Sequence, residues 1–228
     1  MIIMITQIYS IQTVKEAIDC IQAGADRIGL LVGPKDGPFP CAINEETALE
    51  IFSAIGDKAV KVLISVQDNE EDIITQTKKL QPDVLHLCAN FEGNPEFRKR
   101  LYECLPQVKL MEAVGVTGAE SIDDAIKKSE YADLLILDSV STTVPGVGAA
   151  GVTHDWSIDR EIVNRVPIPV ILAGGLGPDN VEEAIRAVRP FGVDSLTKTS
   201  VKENGKLLYK DIELVRQFCE RAKHGVQN

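Results

Sequence analysis

The sequence has no Cys-x-x-Cys pair and no cluster of cysteine with histidine. Its five cysteines (Cys20, Cys41, Cys88, Cys104, Cys219) stand far apart, and only three histidines occur. Both shortages argue against a structural zinc site and a disulfide framework, so free thiols in a reducing compartment are expected. No apolar run approaches the roughly 20 residues that cross a bilayer. The opening "MIIMITQIYS" is apolar, but it lacks a basic leader and runs into a polar segment. It reads as a first core strand rather than a signal peptide, and a cytoplasmic protein is expected. Bases are outnumbered as well: 24 Lys and Arg stand against 34 Asp and Glu, a net charge of -10. That balance argues against a nucleic-acid backbone or an anionic membrane as partner. It leaves room for an anionic small ligand, because backbone dipoles can hold a phosphate on an acidic protein. No Pro/Ser-rich linker or shift in composition divides the 228 residues, so a single domain over 1–228 is expected.

What the chain does have is alternation. Apolar, β-branched runs stand at "IIMITQIY", "RIGLLV", "AVKVLISV", "DVLHLC", "VKLMEAV", "DLLILD", "IPVILAG" and "GVDSL". Such runs read as strands buried on both faces, as in a parallel sheet. Between them lie amphipathic stretches with helix signals. "TVKEAIDCIQAG" opens with Thr13 and Glu16 in capping-box spacing, and "NEETALEIFSAIG" starts on Asn44 and stops at a glycine. Eight strand-helix units in this length predict a (β/α)8 TIM barrel, with a doubly wound open sheet as the competing architecture. A barrel places reacting groups at the C-terminal ends of its strands.

Alternation along a strand sets parity, and in a barrel the outward set packs under helices. With Met111, Ala113, Leu135, Leu137, Leu85, Leu87 and Ile8 taken as outward, Glu112, Asp138, His86, Cys88, Gln7 and Tyr9 are expected inside. Lys61 and Ser65 are expected to join them. Structural roles remain open for each: Asp138 as a backbone acceptor, Glu112 as a partner of Lys61, His86 as a satisfied core histidine, Cys88 and Tyr9 as packing. In "THDW", Asp155 reads as a helix cap and Trp156 as a packing anchor rather than a catalytic trio with His154.

"ILAGGLGPDNVEEAI" is the most specific local feature. A buried strand ends in Gly174-Gly175, where backbone N–H groups can approach an anion with no side chain in the way. The next strand ends "GVDSLTKTS", which offers the hydroxyl of Thr197 and the cation of Lys198. Barrels frequently hold phosphate between the loops after strands seven and eight.

The strings "GADRIGLLVGPK", "LLILDS", "GVTHDWS", "PVILAGGLGPDNVEEAIRAVRPFGVDS" and the late "GK…KD" resemble the phosphoribosylanthranilate isomerase family of (β/α)8 enzymes, over the length of the chain. That resemblance implies an Amadori rearrangement, in which a phosphorylated aminoaldose opens and becomes an aminoketose. It implies the general acid at Asp138, phosphate binding at Gly174, Gly175, Thr197 and Lys198, and a substrate-covering loop at Gly148 and Gly151. The chain departs from the pattern on strand four (His86-Leu87-Cys88-Ala89 for Gln-Leu-His-Gly), in the lid ("GAAG") and after strand eight ("LTK" for Ser-Ser-Gly), and at two points that bear on the chemistry. Gln7-Ile8-Tyr9-Ser10 stands where the family has Lys-Ile-Cys-Gly with its base cysteine, and "PKDGPFP" has no arginine to clamp the anthranilate carboxylate. Cys88, His86 or Glu112 would then supply the base, Cys88 first, since a thiolate beside a lysine or imidazolium ionises near neutrality.

Two functions follow as expectations. One is an isomerase, or related proton-transfer enzyme, for a phosphorylated sugar; the other is a non-catalytic phosphosugar-binding or regulatory relative. No cofactor and no metal are expected, the partner is a phosphorylated small molecule, and a monomer or a homodimer is open.

Overall fold

The computed structural model describes residues 4–34, 37–39, 41–140, 147, 155–204 and 206–224. Gly148, Gly151 and His154 lie outside the described residues. Eight strands alternate with eight helices in the expected order. The strands are β1 (Ile5–Ile8), β2 (Arg27–Val32), β3 (Val60–Ser65), β4 (Val84–Leu87), β5 (Lys109–Gly115), β6 (Leu134–Asp138), β7 (Val170–Leu172) and β8 (Gly192–Ser195). Each pairs in parallel with its neighbour, and β1 pairs with β8, so the sheet is a closed barrel rather than an open doubly wound sheet. The helices are α1 (Val14–Gln22), α2 (Glu45–Ile55), α3 (Glu70–Leu80), α4 (Pro95–Cys104), α5 (Glu120–Ser129), α6 (Trp156–Arg165), α7 (Val181–Val188) and α8 (Ile212–His224). None among the described residues is long and apolar enough to cross a membrane.

Local chemistry explains the boundaries. Thr13, Asn44, Asn69, Asn94 and Asp155 each accept a first-turn amide at the start of a helix, satisfying a donor that would otherwise be orphaned. At the opposite end of the barrel from the mouth, an aspartate precedes β2, β4 and β6. Asp26, Asp83 and Asp133 accept the amides of Thr6, Lys61 and Leu110 on the adjoining strands, at 2.7–2.9 Å. These carboxylates close the N-terminal rim, where the ladder leaves amides unpaired. One element was not legible as a separate unit: a short 3-10 turn (Thr197–Thr199) leads into an antiparallel hairpin of β9 (Ser200–Glu203) and β10 (Lys206–Lys210) before α8. Its Asn204-Gly205 pair is a hairpin signal that the dominant β-α pattern overshadows.

The core has two layers. Ile8, Ile28, Leu30, Leu63, Leu85, Leu110, Val114, Leu135 and Leu137 belong to the layer between sheet and helices. Val62, Ile64, Val84, Met111, Ala113, Leu134, Ile136 and Ile171 fill the barrel itself. The inner layer corrects two parity expectations. Met111 and Ala113 face inward, so Glu112 points away from the mouth; likewise Val62 and Ile64 face inward, which turns Lys61 and Ser65 toward the helices. The rule that outward residues are apolar is sound, but the interior of this barrel is apolar too, so it cannot fix the phase of such strands. Ser65 donates to Gln76 of α3 at 2.8 Å. Glu112 accepts the Gly93 amide at 3.0 Å behind β5, near Lys128 of α5.

Tyr9, just past β1, lays its ring across Gly29 of β2. A Cβ at residue 29 would sit 2.1 Å from Cδ1 and 2.4 Å from Cε1 of that ring. Gly29→Ala is therefore expected to destabilise the fold by about 1–3 kcal/mol through overpacking. In urea denaturation the loss should shrink sharply when Tyr9→Ala is added; an undiminished loss in the double variant would break the link between the two residues.

Glu112 is sealed behind β5, and desolvation pushes its carboxyl up to about 8, against a smaller opposing pull from Lys128. Its folded value lies above its ordinary 4.5, so the buried acid is tolerated fully below that ordinary value. Stability is then lost as pH rises toward about 8. The Tm advantage of Glu112→Gln over the parent should widen across this window, and a constant advantage would contradict it.

Candidate active site

The C-terminal ends of the strands bring together residues far apart in sequence. Gln7 comes from β1, with Tyr9 just beyond it; His86 comes from β4, with Cys88 following; Asp138 ends β6 and Asp194 lies on β8. Tyr9 Oη and His86 Nδ1 are 2.8 Å apart in a buried pair. Burial pushes His86 down to about 3, so its ring is uncharged near neutrality. Desolvation, followed by the charge of Asp194, raises the Tyr9 phenol well above its ordinary value.

Cys88 sits at the rim, where burial and then the charges of Asp138 and Glu112 push its thiol up to about 12. The cation expected to ionise it is missing, because His86 is neutral and Lys61 faces the helices. Burial and the neighbouring carboxylates disfavour the thiolate expected from the sequence. The Tyr9, His86 and Asp138 positions match the inward parity read from the sequence, as does Gln7.

A cavity opens between β6, β7 and β8, lined by Asp138, Gly174, Gly175, Leu176, Asp194, Ser195, Leu196 and Thr197. Gly174 and Gly175 have φ of 83° and 62°, both in the left-handed region that a side chain disfavours. Their amides, and that of Thr197, donate to no protein acceptor among the described residues. Three bonds fix the turn behind them: Gly177 N–H to Asn180 Oδ1 at 2.9 Å, Asn180 Nδ2 to the Gly175 carbonyl at 3.2 Å, and Ser195 Oγ to the Leu176 carbonyl at 2.7 Å. The arrangement is a rigid, donor-rich rim suited to an anion. Thr197 lines it, whereas Lys198 reaches outward to Asp179 at 3.6 Å.

Two further groups escaped the sequence reading. Asp194 is buried, and Gln7 Nε2 donates to its Oδ1 at 3.2 Å. Desolvation raises its carboxyl well above the ordinary range, with the charge of Asp138 acting next in the same direction. The signal was present: Val193 is outward, which makes Asp194 inward by the same alternation applied to Asp138. Lys210 of β10 is the second. Its Nζ donates to the Leu196 carbonyl at 3.0 Å and to Ser200 Oγ at 2.8 Å, tying the hairpin to the loop after β8. Burial lowers this amine to about 8. Only the "GK…KD" string hinted at it. Among the described residues no three His, Cys, Asp or Glu side chains converge to hold a metal ion.

Comparison with known proteins agrees with this geometry. Residues 6–221 match the model of the family described as N-(5'phosphoribosyl)anthranilate (PRA) isomerase. The chain is 33% identical to the N-(5'-phosphoribosyl)anthranilate isomerase of Methanocella arvoryzae, over 92% of this chain and 94% of that protein. It is also 33% identical to isomerase 2 of Methanosarcina mazei, over 96% and 93%. Phosphoribosyl anthranilate isomerase from Thermotoga maritima superposes with a TM-score of 0.80 at 27% identity, over 97% and 99% of the two chains. Another solved isomerase, with a TM-score of 0.77 at 25% identity, is in complex with reduced 1-(o-carboxyphenylamino)-1-deoxyribulose 5-phosphate, over 97% and 99% of the two chains. These relatives are named as isomerases, which lends nothing to the non-catalytic reading. With the fold, the length of the match and the relatives in agreement, the chain belongs to the phosphoribosylanthranilate isomerase family, whose members isomerise a phosphorylated sugar.

Proposed function

We propose that this barrel converts a phosphorylated aminoaldose into the aminoketose, with Asp138 as the general acid and the rim of Gly174, Gly175 and Thr197 as the phosphate grip. The observation that carries the reading is that one cavity joins both features: a strand-end carboxyl and a turn of free amides. Ser139 N–H holds Asp138 Oδ1 at 2.7 Å, which fixes the carboxyl at the end of β6. A sugar anchored by its phosphate on the glycine turn presents its ring oxygen across the cavity toward that acid. Protonation of this oxygen makes it a leaving group, and the ring opens as the amine nitrogen forms the C=N bond. Preorganised amides cost no reorganisation as the reaction proceeds, and the phosphate supplies binding energy remote from the reacting carbon.

N-(5'-phosphoribosyl)anthranilate is the first substrate to assay, since it stands in the names of the relatives. Other phosphoribosyl amines belong in the same panel, because "PKDGPFP" after β2 carries no arginine for the anthranilate carboxylate. The five free cysteines support a reducing, cytoplasmic setting.

Asp138→Asn should lower kcat by about 10²–10⁴-fold, the usual share of a general acid, while inorganic phosphate still raises its Tm as it does for the parent. Equal turnover by the two proteins would remove Asp138 from the reaction. Gly175→Ala, which forces a side chain into the left-handed region, should abolish the phosphate-induced Tm rise. A full rise in that variant would place the phosphate elsewhere.

A further inference from the structure

An isomerisation of this kind needs two proton movements, one to the ring oxygen and one from carbon. Among the described residues the mouth cavity offers two ionisable side chains, Asp138 from β6 and Asp194 from β8; the rest of the described lining is backbone, hydroxyl and leucine. Other titratable groups nearby are turned away from it or occupied. Tyr9 and His86 are bonded to each other at 2.8 Å and neither lines the cavity. Cys88 also lies outside the lining, and Glu112 is on the far side of β5.

The surroundings of Asp194 are those of a held reagent rather than a cap. Gln7 is its direct partner in the β1–β8 register and donates to Oδ1 at 3.2 Å. Its Oδ2 makes no hydrogen bond among the described residues, yet it is not among the sealed, orphaned polar atoms, so this oxygen is open to the cavity. We infer that Asp194 is the second catalytic residue of this barrel, taking the carbon-bound proton of the opened sugar while Asp138 supplies the proton that opens the ring. This inference rests on the isomerase reading above and adds the base that the reading leaves unnamed.

The step balances without a co-reactant. The Asp138 proton goes to the ring oxygen as its bond to the anomeric carbon breaks and the nitrogen lone pair forms the C=N bond. Asp194 then removes hydrogen from the neighbouring carbon. The C–H electrons become a C=C bond, and the C=N pair returns to nitrogen. The resulting enol loses its hydroxyl proton and gains one at the former imine carbon, giving the ketone. Two carboxyls across one small cavity do not ionise together readily, so the pair carries one proton; burial favours that proton on Asp194, and it must pass to Asp138 before the ring opens, leaving Asp138 the acid and Asp194 the base. Groups facing Asp194 are Asp138 from β6, Gln7 and Tyr9 from the β1 end, and Lys210 from β10. Burial raises the Asp194 carboxyl and Asp138 reinforces the rise, while the Gln7 bond and Lys210 oppose it.

The test compares Asp194→Asn, Asp194→Glu and Gln7→Leu with the parent and with Asp138→Asn, on the phosphoribosyl amine the parent turns over. Asp194→Asn should lower kcat by about 10²–10⁴-fold, with KM changed by less than about tenfold and with the phosphate-induced Tm rise intact. Asp194→Glu should recover part of that loss. Gln7→Leu keeps the carboxyl but removes the donor that favours its ionised form. The acidic limb of its kcat–pH profile should therefore move to higher pH, a shift that a purely structural role would not produce. The Leu side chain suits the site, where Gln7 Oε1 is buried without a partner.

Turnover by Asp194→Asn within about tenfold of the parent, a change confined to KM, or an unmoved limb in Gln7→Leu would each overturn the assignment. Should Asp194→Asn fail to fold, the Gln7→Leu limb decides alone. A loss in Asp138→Asn with full activity in Asp194→Asn defeats Asp194 only, whereas a parent inactive on every phosphoribosyl amine defeats the isomerase reading and this inference with it.

Discussion

The pairing of β1 with β8 is the constraint from which the site follows. It closes the sheet, and in closing it sets Gln7 directly beside Asp194, 187 positions away in sequence. Without that seam the two would sit on opposite edges of an open sheet, and the buried carboxyl of Asp194 would face water with no donor beside it. Closure has a further consequence. A barrel interior is filled by side chains, so a charge on an inward strand position must lie near the mouth or be neutralised. Asp138 ends β6 at the cavity and Asp194 lies one residue before the end of β8 beside it, whereas Arg27 escapes the interior at the opposite end of the barrel, at the start of β2, with its guanidinium over the Phe191 ring.

The aromatic residue at the end of β1 is accommodated by the strand beside it. Gly29 leaves the volume that the Tyr9 ring occupies, and His86 on β4 meets its hydroxyl from across the interior. Burial holds the phenol and the imidazole in their uncharged forms. The pair is therefore a neutral layer of the barrel, comparable in role to Val62, Ile64 and Met111 around it, with Tyr9 Oη and His86 Nδ1 satisfying each other and His86 Nε2 buried without a partner among the described residues. Substituting a large phenol at such a position requires a compensating glycine on the neighbouring strand, and this chain has one.

The architecture was legible because two periodicities agree at every unit: strand-length apolar runs, then amphipathic stretches with caps such as Asn44 and Asn94. The glycine turn was legible too, since Gly174-Gly175 closes a buried strand and opens a helix. Parity was legible only where a strand mixes polar and apolar residues. In β4 and β6, His86 and Asp138 interrupt one face and fix the phase. In β5, the inward Met111 and Ala113 are as apolar as the outward Leu110 and Val114, so Glu112 could be assigned to either side. Lys210 was illegible for a different reason. It acts from a hairpin outside the repeating unit, and its contacts are with the Leu196 carbonyl and Ser200, which no spacing rule connects to it.

That hairpin bears on the electrostatics of the whole mouth. The Lys210 amine is buried, and it is held by a carbonyl and a hydroxyl rather than by a carboxylate of its own. Glu16, which accepts the Lys210 backbone N–H, is the strongest opposing charge on that amine, and the amine also acts on Asp194 across the loop after β8, opposing the rise in that carboxyl's affinity for a proton. Burial and Asp138 pull the other way. The protonation of Asp194 is thus set by a competition between a cation fixed behind the rim and a second carboxyl in front of it. A dianionic phosphate docking on the amides of the same rim would add negative charge to that balance and favour retention of the one shared proton. Substrate binding and proton distribution are coupled through one small volume, and the neutral Tyr9–His86 layer beneath it confines the coupling to the two carboxyls and the loops that carry the phosphate grip.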